Sequence, residues 1–300
     1  MSSGRRDVRF TSAPGIDLTA SVWGDDDTSG VLLLHGLSQQ RLFWGPVISR
    51  LHATAVASLD QRGHGMSDTP VDADYSVGAC AGDVVACLDA LGWRSAFVVG
   101  HSWGASVALR AAAVHSDRVQ AAALIDGGLW SPAGLGPRDE VRARLTPPTL
   151  GIPAEDLWSR VRSGDLGSTW THERQQALEL TFVTDDQGLL RSRLGLERHM
   201  LVLDGLLDVD PEVDLEACEA SGTPVWAVVC EERGLTVPVA GDLKSDAAAR
   251  AAERSNVLVH RWAGAIHDVP LQWPDLVAGF IDTVASSGRP ADGLATGGGA

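Results

Sequence analysis

The chain has 300 residues, 44% of them apolar, with a formal net charge of −15. That length and apolar content suit one large domain, or a core carrying an insertion, and exclude disorder of the whole chain. The acidic balance argues against a nucleic-acid or anionic-membrane partner, because both reward clustered Lys and Arg.

The N-terminal MSSGRRDVRF has three arginines but no apolar run behind them, so no signal peptide is expected there. No stretch approaches the roughly 20 apolar residues that span a bilayer. Four cysteines, Cys80, Cys87, Cys218 and Cys230, show no metal-ligand spacing. Cys80 and Cys87 would lie roughly 10 Å apart along a helix, too far for a disulfide. Buried, reduced thiols in a soluble cytoplasmic protein are the expectation.

In chain order, Val31–Leu34 (VLLL), Ala55–Leu59 (AVASL), Ala96–Val99 (AFVV) and Ala121–Ile125 (AAALI) are short apolar runs of the kind a strand covered on both faces requires. Helical patterns alternate with them: Ser76–Leu91, with Ser76 as N-cap, and the Ala-rich Trp103–His115. That alternation predicts an α/β fold with a parallel sheet flanked by helices. After Gly128 the character changes. From Leu129 to about Leu215 come Pro147, Pro148, Pro153 and Pro211, and amphipathic patterns such as PAEDLWSRVR and GLERHMLVLDGLL, with no convincing strand. The sheet pattern then resumes with Pro224–Cys230, a helix from about Leu243 to Arg254, the strand Asn256–Trp262 and a last helix from about Pro274 to Ala285. The expected organisation is a first core segment over 1–128, a helical insertion over 129–215, a second core segment over 216–285, and a Gly-rich disordered tail over 286–300.

Directly after AFVV stands G-x-S-x-G, as Gly100, His101, Ser102, Trp103 and Gly104. A strand turning straight into a helix strains its middle residue, and small residues two before and two after leave room for the turn. Ser102 is thereby lifted clear at a helix N-terminus, where unpaired N–H groups favour developing negative charge. A serine hydroxyl needs a base. Of nine histidines, His52, His115, His172, His199 and His260 lie in helical or strand patterns, and His35, His64 and His101 in Gly-flanked loops suited to shaping turns. His267, in the loop AGAIHDVPLQWP between the last strand and the last helix, emerges at the same sheet edge as Ser102 and is the expected general base. After the strand VLLL, the N–H of Leu37 is placed to join that of Trp103 as an oxyanion hole.

The set LLLHGLSQQ, SLDQRGHGMSD, VVGHSWGA and AIHDVPLQWPD, in that order over about Asp7 to Ala285, resembles the α/β-hydrolase superfamily. The resemblance implies a mostly parallel sheet of about eight strands, a helical lid inserted after the sixth, and a nucleophile, acid, histidine order. Serine at the elbow, where haloalkane dehalogenases and epoxide hydrolases have aspartate, resembles the esterase and lipase type. Many members carry the acid after the seventh strand, in a pattern like G-E-x-D. Here that segment reads VVCEERGLTVP, with Cys230 in place of the glycine and Arg233 where the aspartate belongs. A guanidinium accepts no hydrogen bond. Asp126, ending the sixth strand before Gly127 and Gly128, is therefore the expected acid, as in certain dehalogenases, with Glu231 and Glu232 as alternatives. Asp60, Arg62 and His64 are expected to lock the loop after the fourth strand.

Of the apolar insertion residues Trp130, Trp158, Trp170, Phe182, Leu196, Met200, Leu203 and Leu206, some are expected to cover the site and most to pack within the insertion. The expectation is a serine hydrolase of a neutral carboxylic ester or related acyl substrate, working through an acyl-enzyme with no metal or organic cofactor. The chain lacks H-E-x-x-H, a P-loop and a strand-linked G-x-G-x-x-G. A C–C bond hydrolase, lactonase or acyltransferase on the same residues, or a non-catalytic member that only binds a small ligand, is the alternative.

Overall fold

The computed structural model describes residues 4–24, 28–53, 55–148, 151–231 and 238–287. Its main sheet has eight strands: β1 (Arg6–Ala13), β2 (Ile16–Gly24), β3 (Ser29–Leu34), β4 (Ala55–Asp60), β5 (Ser95–His101), β6 (Val119–Ile125), then, after an insertion that holds the two-stranded ribbon β7 (Phe182–Thr184) and β8 (Leu190–Ser192), β9 (Val225–Glu231) and β10 (Val257–Ala263). The order across the main sheet is β1-β2-β4-β3-β5-β6-β9-β10. β2 runs antiparallel to its neighbours β1 and β4, and every other pairing is parallel.

The helices are α1 (Gly45–Ile48), α2 (Val77–Leu91), α3 (Trp103–Val114), α4 (Arg138–Leu145), α5 (Ala154–Ser163), α6 (His172–Glu179), α7 (Gly195–Leu207), α8 (Pro211–Ser221), α9 (Pro238–Ala251), α10 (Val269–Gln272) and α11 (Pro274–Ser287). α2 starts where its cap predicts: the Ser76 hydroxyl accepts the N–H of Ala79 at 3.1 Å.

Alternation along the central strands divides the core in two. Leu32, Leu34, Ala122 and Leu124 face a layer completed by α2, α3, α8 and α9. Val31, Leu33, Ala121, Ala123 and Ile125 face the other, built from Phe43, Trp44 and the Val277, Phe280 and Ile281 face of α11. Burial on both faces is what made these strands continuous apolar runs. The fold is thus an α/β sandwich of the expected kind, with edge strands β1 and β2 added. All four cysteines are buried free thiols, and among the described residues no helix is long and apolar enough to cross a membrane.

Between β6 and β9 the expectation of a strandless insertion is corrected. β7 and β8 pair antiparallel around a turn in which the Asp185 carboxylate accepts the N–H groups of Gln187 and Leu189 at 3.0 and 2.9 Å. Three-residue strands with half their side chains in water leave no apolar run to detect; the turn DDQG was the legible signal. Trp158, Trp170 and Phe182 pack ring against ring within the insertion, Met200 and Leu203 cluster with Val141 and Leu207, and Leu196 is exposed. α8 lies across residue 215, where the insertion was expected to end, and joins the core layer through Leu215 and Cys218. Glu232, Arg233 and the tail from 288 onward lie outside the described residues.

Candidate active site

Three residues other than glycine have positive φ among the described residues, and all lie at one rim of the sheet: Ser38 (66°), Ser102 (55°) and Asp126 (51°). Such conformations cost of order 1–3 kcal/mol each and persist where surrounding structure enforces them. Ser102 directly follows β5 and stands at the N-cap position of α3, where its side chain makes no capping bond. The elbow closes because residues 100 and 104 lack side chains: a Cβ at Gly100 would fall 2.0 Å from the Gly104 carbonyl oxygen, and one at Gly104 2.5 Å from that of Leu34. Asp126 ends the adjacent strand, and the next residue backs onto the elbow so closely that a Cβ at Gly127 would meet the Ser102 carbonyl oxygen at 2.2 Å.

The loop after β10 brings His267 between them. Its Nε2 lies 3.0 Å from Ser102 Oγ and its Nδ1 2.7 Å from Asp126 Oδ2. A carboxylate only accepts, so Nδ1 carries the proton and Nε2 is left to take one from the serine. Ser102, His267 and Asp126 are therefore brought into one hydrogen-bonded series. Glu231 is not: it is exposed and paired with Arg261 at 3.0 Å.

Asp126 is 1% exposed at its side chain, His267 49%. Burial alone would raise the Asp126 carboxyl, but the His267 hydrogen bond and charge, with the Lys244 ammonium, bring it down to about 2. Burial likewise pushes the His267 ring down, and the hydrogen bond and charge of Asp126, helped by Asp268, outweigh it and hold the ring above the ordinary histidine value. Beside it, His101 is pushed down to about 4, chiefly by burial; neutral at neutral pH, its Nε2–H donates to the His267 carbonyl at 2.8 Å.

The loop after β3 approaches from the other side, where a Cβ at Gly36 would lie 3.2 Å from that of Ser102. Its N–H groups are accounted for one by one. That of Gly36 goes to Gln39 Oε1 at 2.9 Å, and that of Ser38 to His64 Nε2 at 3.2 Å. The intervening Leu37 N–H takes no partner among the described residues. The Trp103 N–H opens α3, where a helix has no internal acceptor. The His35 and His64 rings behave as turn-shaping groups: burial pushes them to about 4 and about 3, and each binds backbone on both sides, His35 at the Gly36 carbonyl and Gln61 N–H, His64 at the Arg62 carbonyl and Ser38 N–H. Asp60 and Arg62 lock their loop, Asp60 with Arg41 and the Met66 N–H, Arg62 with Asp83 at 2.6 and 2.7 Å.

Three rim residues went unrecognised in the sequence. Gln39 ties the β3 loop to the histidine loop by donating to Asp268 Oδ1 at 3.0 Å. His199 of α7 meets Ser38 Oγ through Nδ1 at 2.9 Å, so it is no mere packing residue. Lys244 of α9 reaches Asp126 Oδ1 at 2.5 Å. Each is a lone polar residue with no local pattern to mark it. Among the described residues no three His, Cys, Asp or Glu side chains are grouped to hold a metal.

Comparison with known proteins agrees with this architecture. The chain is 39% identical over 103 residues to N-formylmaleamate deformylase of Pseudomonas putida, covering 34% of this chain and 38% of that protein. It is 34% identical over 140 residues to lipase LipV of Mycobacterium tuberculosis (47% and 52% covered), and 43% identical over 115 residues to epoxide hydrolase B of the same organism (37% and 32%). The matched segments thus span between 32% and 52% of these curated relatives. The solved structure of E-2-(acetamidomethylene)succinate hydrolase superposes with a TM-score of 0.72 at 24% identity, covering 93% of this chain and 98% of that one. The model of the alpha/beta hydrolase fold family matches residues 31–187, more than half of the chain. With that match and the eight-stranded sheet that carries its rim, the chain belongs to the alpha/beta hydrolase fold family.

Proposed function

We propose that this hydrolase-family chain is a serine hydrolase that cleaves a neutral carboxylic ester or related acyl substrate through an acyl-enzyme. The observation that carries the reading is the series Ser102 Oγ, His267 Nε2, His267 Nδ1, Asp126 Oδ2, with links of 3.0 and 2.7 Å. Ser102 attacks the carbonyl as its proton passes to Nε2 of His267. Asp126 keeps the proton of Nδ1 in place and stabilises the imidazolium. The N–H groups of Leu37 and Trp103 receive the oxyanion, each such donor contributing about 3 kcal/mol to transition-state stabilisation. His267 returns its proton to the leaving group, and water, activated by the same ring, releases the acid.

The insertion acts as a lid over a small-molecule site; support for this comes from His199, which reaches from α7 to Ser38, and from Leu37, whose side chain packs against the Met200, Leu203 and Leu207 cluster. Four buried free thiols fit a cytoplasmic setting. Cleavage of an acyl C–N bond by the same steps is a second reading, favoured by the 39% identity to a deformylase over 103 residues. A fluorophosphonate probe tests both, since it phosphonylates an activated serine with loss of fluoride, whatever leaving group the natural substrate carries. Labelling at Ser102 that is lost in Ser102→Ala is expected; an unlabelled chain would overturn the reading. Turnover of ester against N-acyl substrates then separates the two.

A further inference from the structure

Asp126 answers to more than His267. Its Oδ1 receives the Cys230 N–H at 2.8 Å and the Lys244 ammonium at 2.5 Å, and that ammonium also donates to the Cys230 carbonyl at 3.2 Å. Lys244 is 16% exposed at its side chain. α9 turns Ala247, Ala248 and Ala251 to the core, and residue 244, one turn before, shares that face. Its stem therefore runs inward and its charge ends at the rim, against a carboxylate that burial would otherwise penalise.

We propose that Lys244 is a positioning residue of the catalytic series: it fixes Oδ1 of Asp126 so that Oδ2 faces His267, and its ammonium opposes the positive charge that forms on the ring. The inference rests on the reading of Ser102, His267 and Asp126 given above. Two donors on one oxygen set the plane of the carboxylate, leaving the other oxygen to His267. A cation bound there also offsets part of the carboxylate's attraction for a positive imidazole ring.

The groups acting on His267 from each packed element are Asp126 from β6, Lys244 from α9, His101 from β5 and Asp268 from its own loop. The two carboxylates favour the charged ring, while Lys244 and burial oppose it, and neutral His101 adds no charge. Lys244 thereby keeps more of His267 in the form that accepts the serine proton as pH falls. Lys244 offsets one of the two carboxylate charges around the neutral His267 ring, and a positive charge appears on that ring only when the serine gives up its proton.

The test is a side-chain nitrogen NMR titration of His267, assigned by its loss in His267→Gln, in the full chain with Lys244→Met, Lys244→Gln and Lys244→Arg. The methionine and glutamine variants should titrate about half a pH unit or more above wild type, with the acid limb of fluorophosphonate labelling moving by the same amount. Lys244→Arg, which keeps the charge, should stay with wild type. Glutamine retains a donor for Oδ1, so it holds the test open where methionine unfolds the chain. Uncharged variants that titrate like wild type, or an arginine variant displaced as far as the methionine one, would overturn the proposal. A wild-type chain unlabelled at Ser102 breaks the proposed reaction. A labelled chain whose His267 titration ignores residue 244 breaks this inference alone.

Discussion

The tips of β6 and β9 are neighbours in the sheet, run parallel and end beside the same histidine, yet they contribute different things. β6 ends in Asp126, whose φ of 51° turns the carboxylate inward. β9 keeps regular register to its end, with Glu231 opposite Ala263, so that side chain stays outside on Arg261. What β9 offers is backbone: the Cys230 N–H and carbonyl hold Asp126 and Lys244. Which carboxylate meets His267 is set by which tip can bend, and the straight tip becomes its support.

The sharpest way to break that comparison is through the series itself. Ser102→Ala should lower kcat by roughly 10⁵-fold or more with circular dichroism unchanged; retained turnover would dismiss Ser102 as nucleophile. Next, Asp126→Asn should lose about 10⁴-fold in kcat while Glu231→Gln stays within about twofold. The reverse outcome in steady-state assays would move the acid to β9. Gly127→Ala places a methyl group against the elbow, and overpacking of this kind destabilises by about 1–3 kcal/mol; urea unfolding measures this, and an unchanged midpoint would mean that the elbow yields freely.

Two pH effects complete the series. A protonated Nε2 cannot accept from Ser102, so kcat/KM should fall about tenfold per unit on the acid side. Because His267 is held above its ordinary value, that limb should lie above the ordinary histidine range; a limb below it would mean that the Asp126 contact does not govern the base. The smallest effect is on stability. A carboxylate lowered to about 2 stabilises the fold above the ordinary aspartate value, and that contribution is lost as pH falls toward about 2. The stability gap between wild type and Asp126→Asn should therefore narrow over that interval. For His267, raised in the folded state, the sign is opposite: its contribution is present at low pH and fades as pH rises through its folded value.

What was legible in the sequence follows from what each element must satisfy. β3 to β6 and β9 are covered on both faces, so they had to be continuous apolar runs. Ser102 announced itself because the elbow needs small residues at 100 and 104. Asp126 was legible as a carboxylate where an apolar run should have continued. β1 and β2 form the sheet's antiparallel margin, and β1, its edge strand, alternates exposed and half-buried residues, too weak a signal to delimit. Gln39, His199 and Lys244 matter only through partners distant in the chain, and a single polar residue carries no period.

Ser38 is gripped from two directions: His64 takes its N–H from within the core, and His199 takes its hydroxyl from α7. Under the proposed function, the same short peptide serves both the donors that receive the oxyanion and the lid that borders the substrate. On that proposal, reshaping α7 to admit a different molecule would shift an anchor of the Leu37 N–H, joining breadth of substrate to speed of reaction at this one serine. A redesign that keeps His199 and varies the helix around it separates the two.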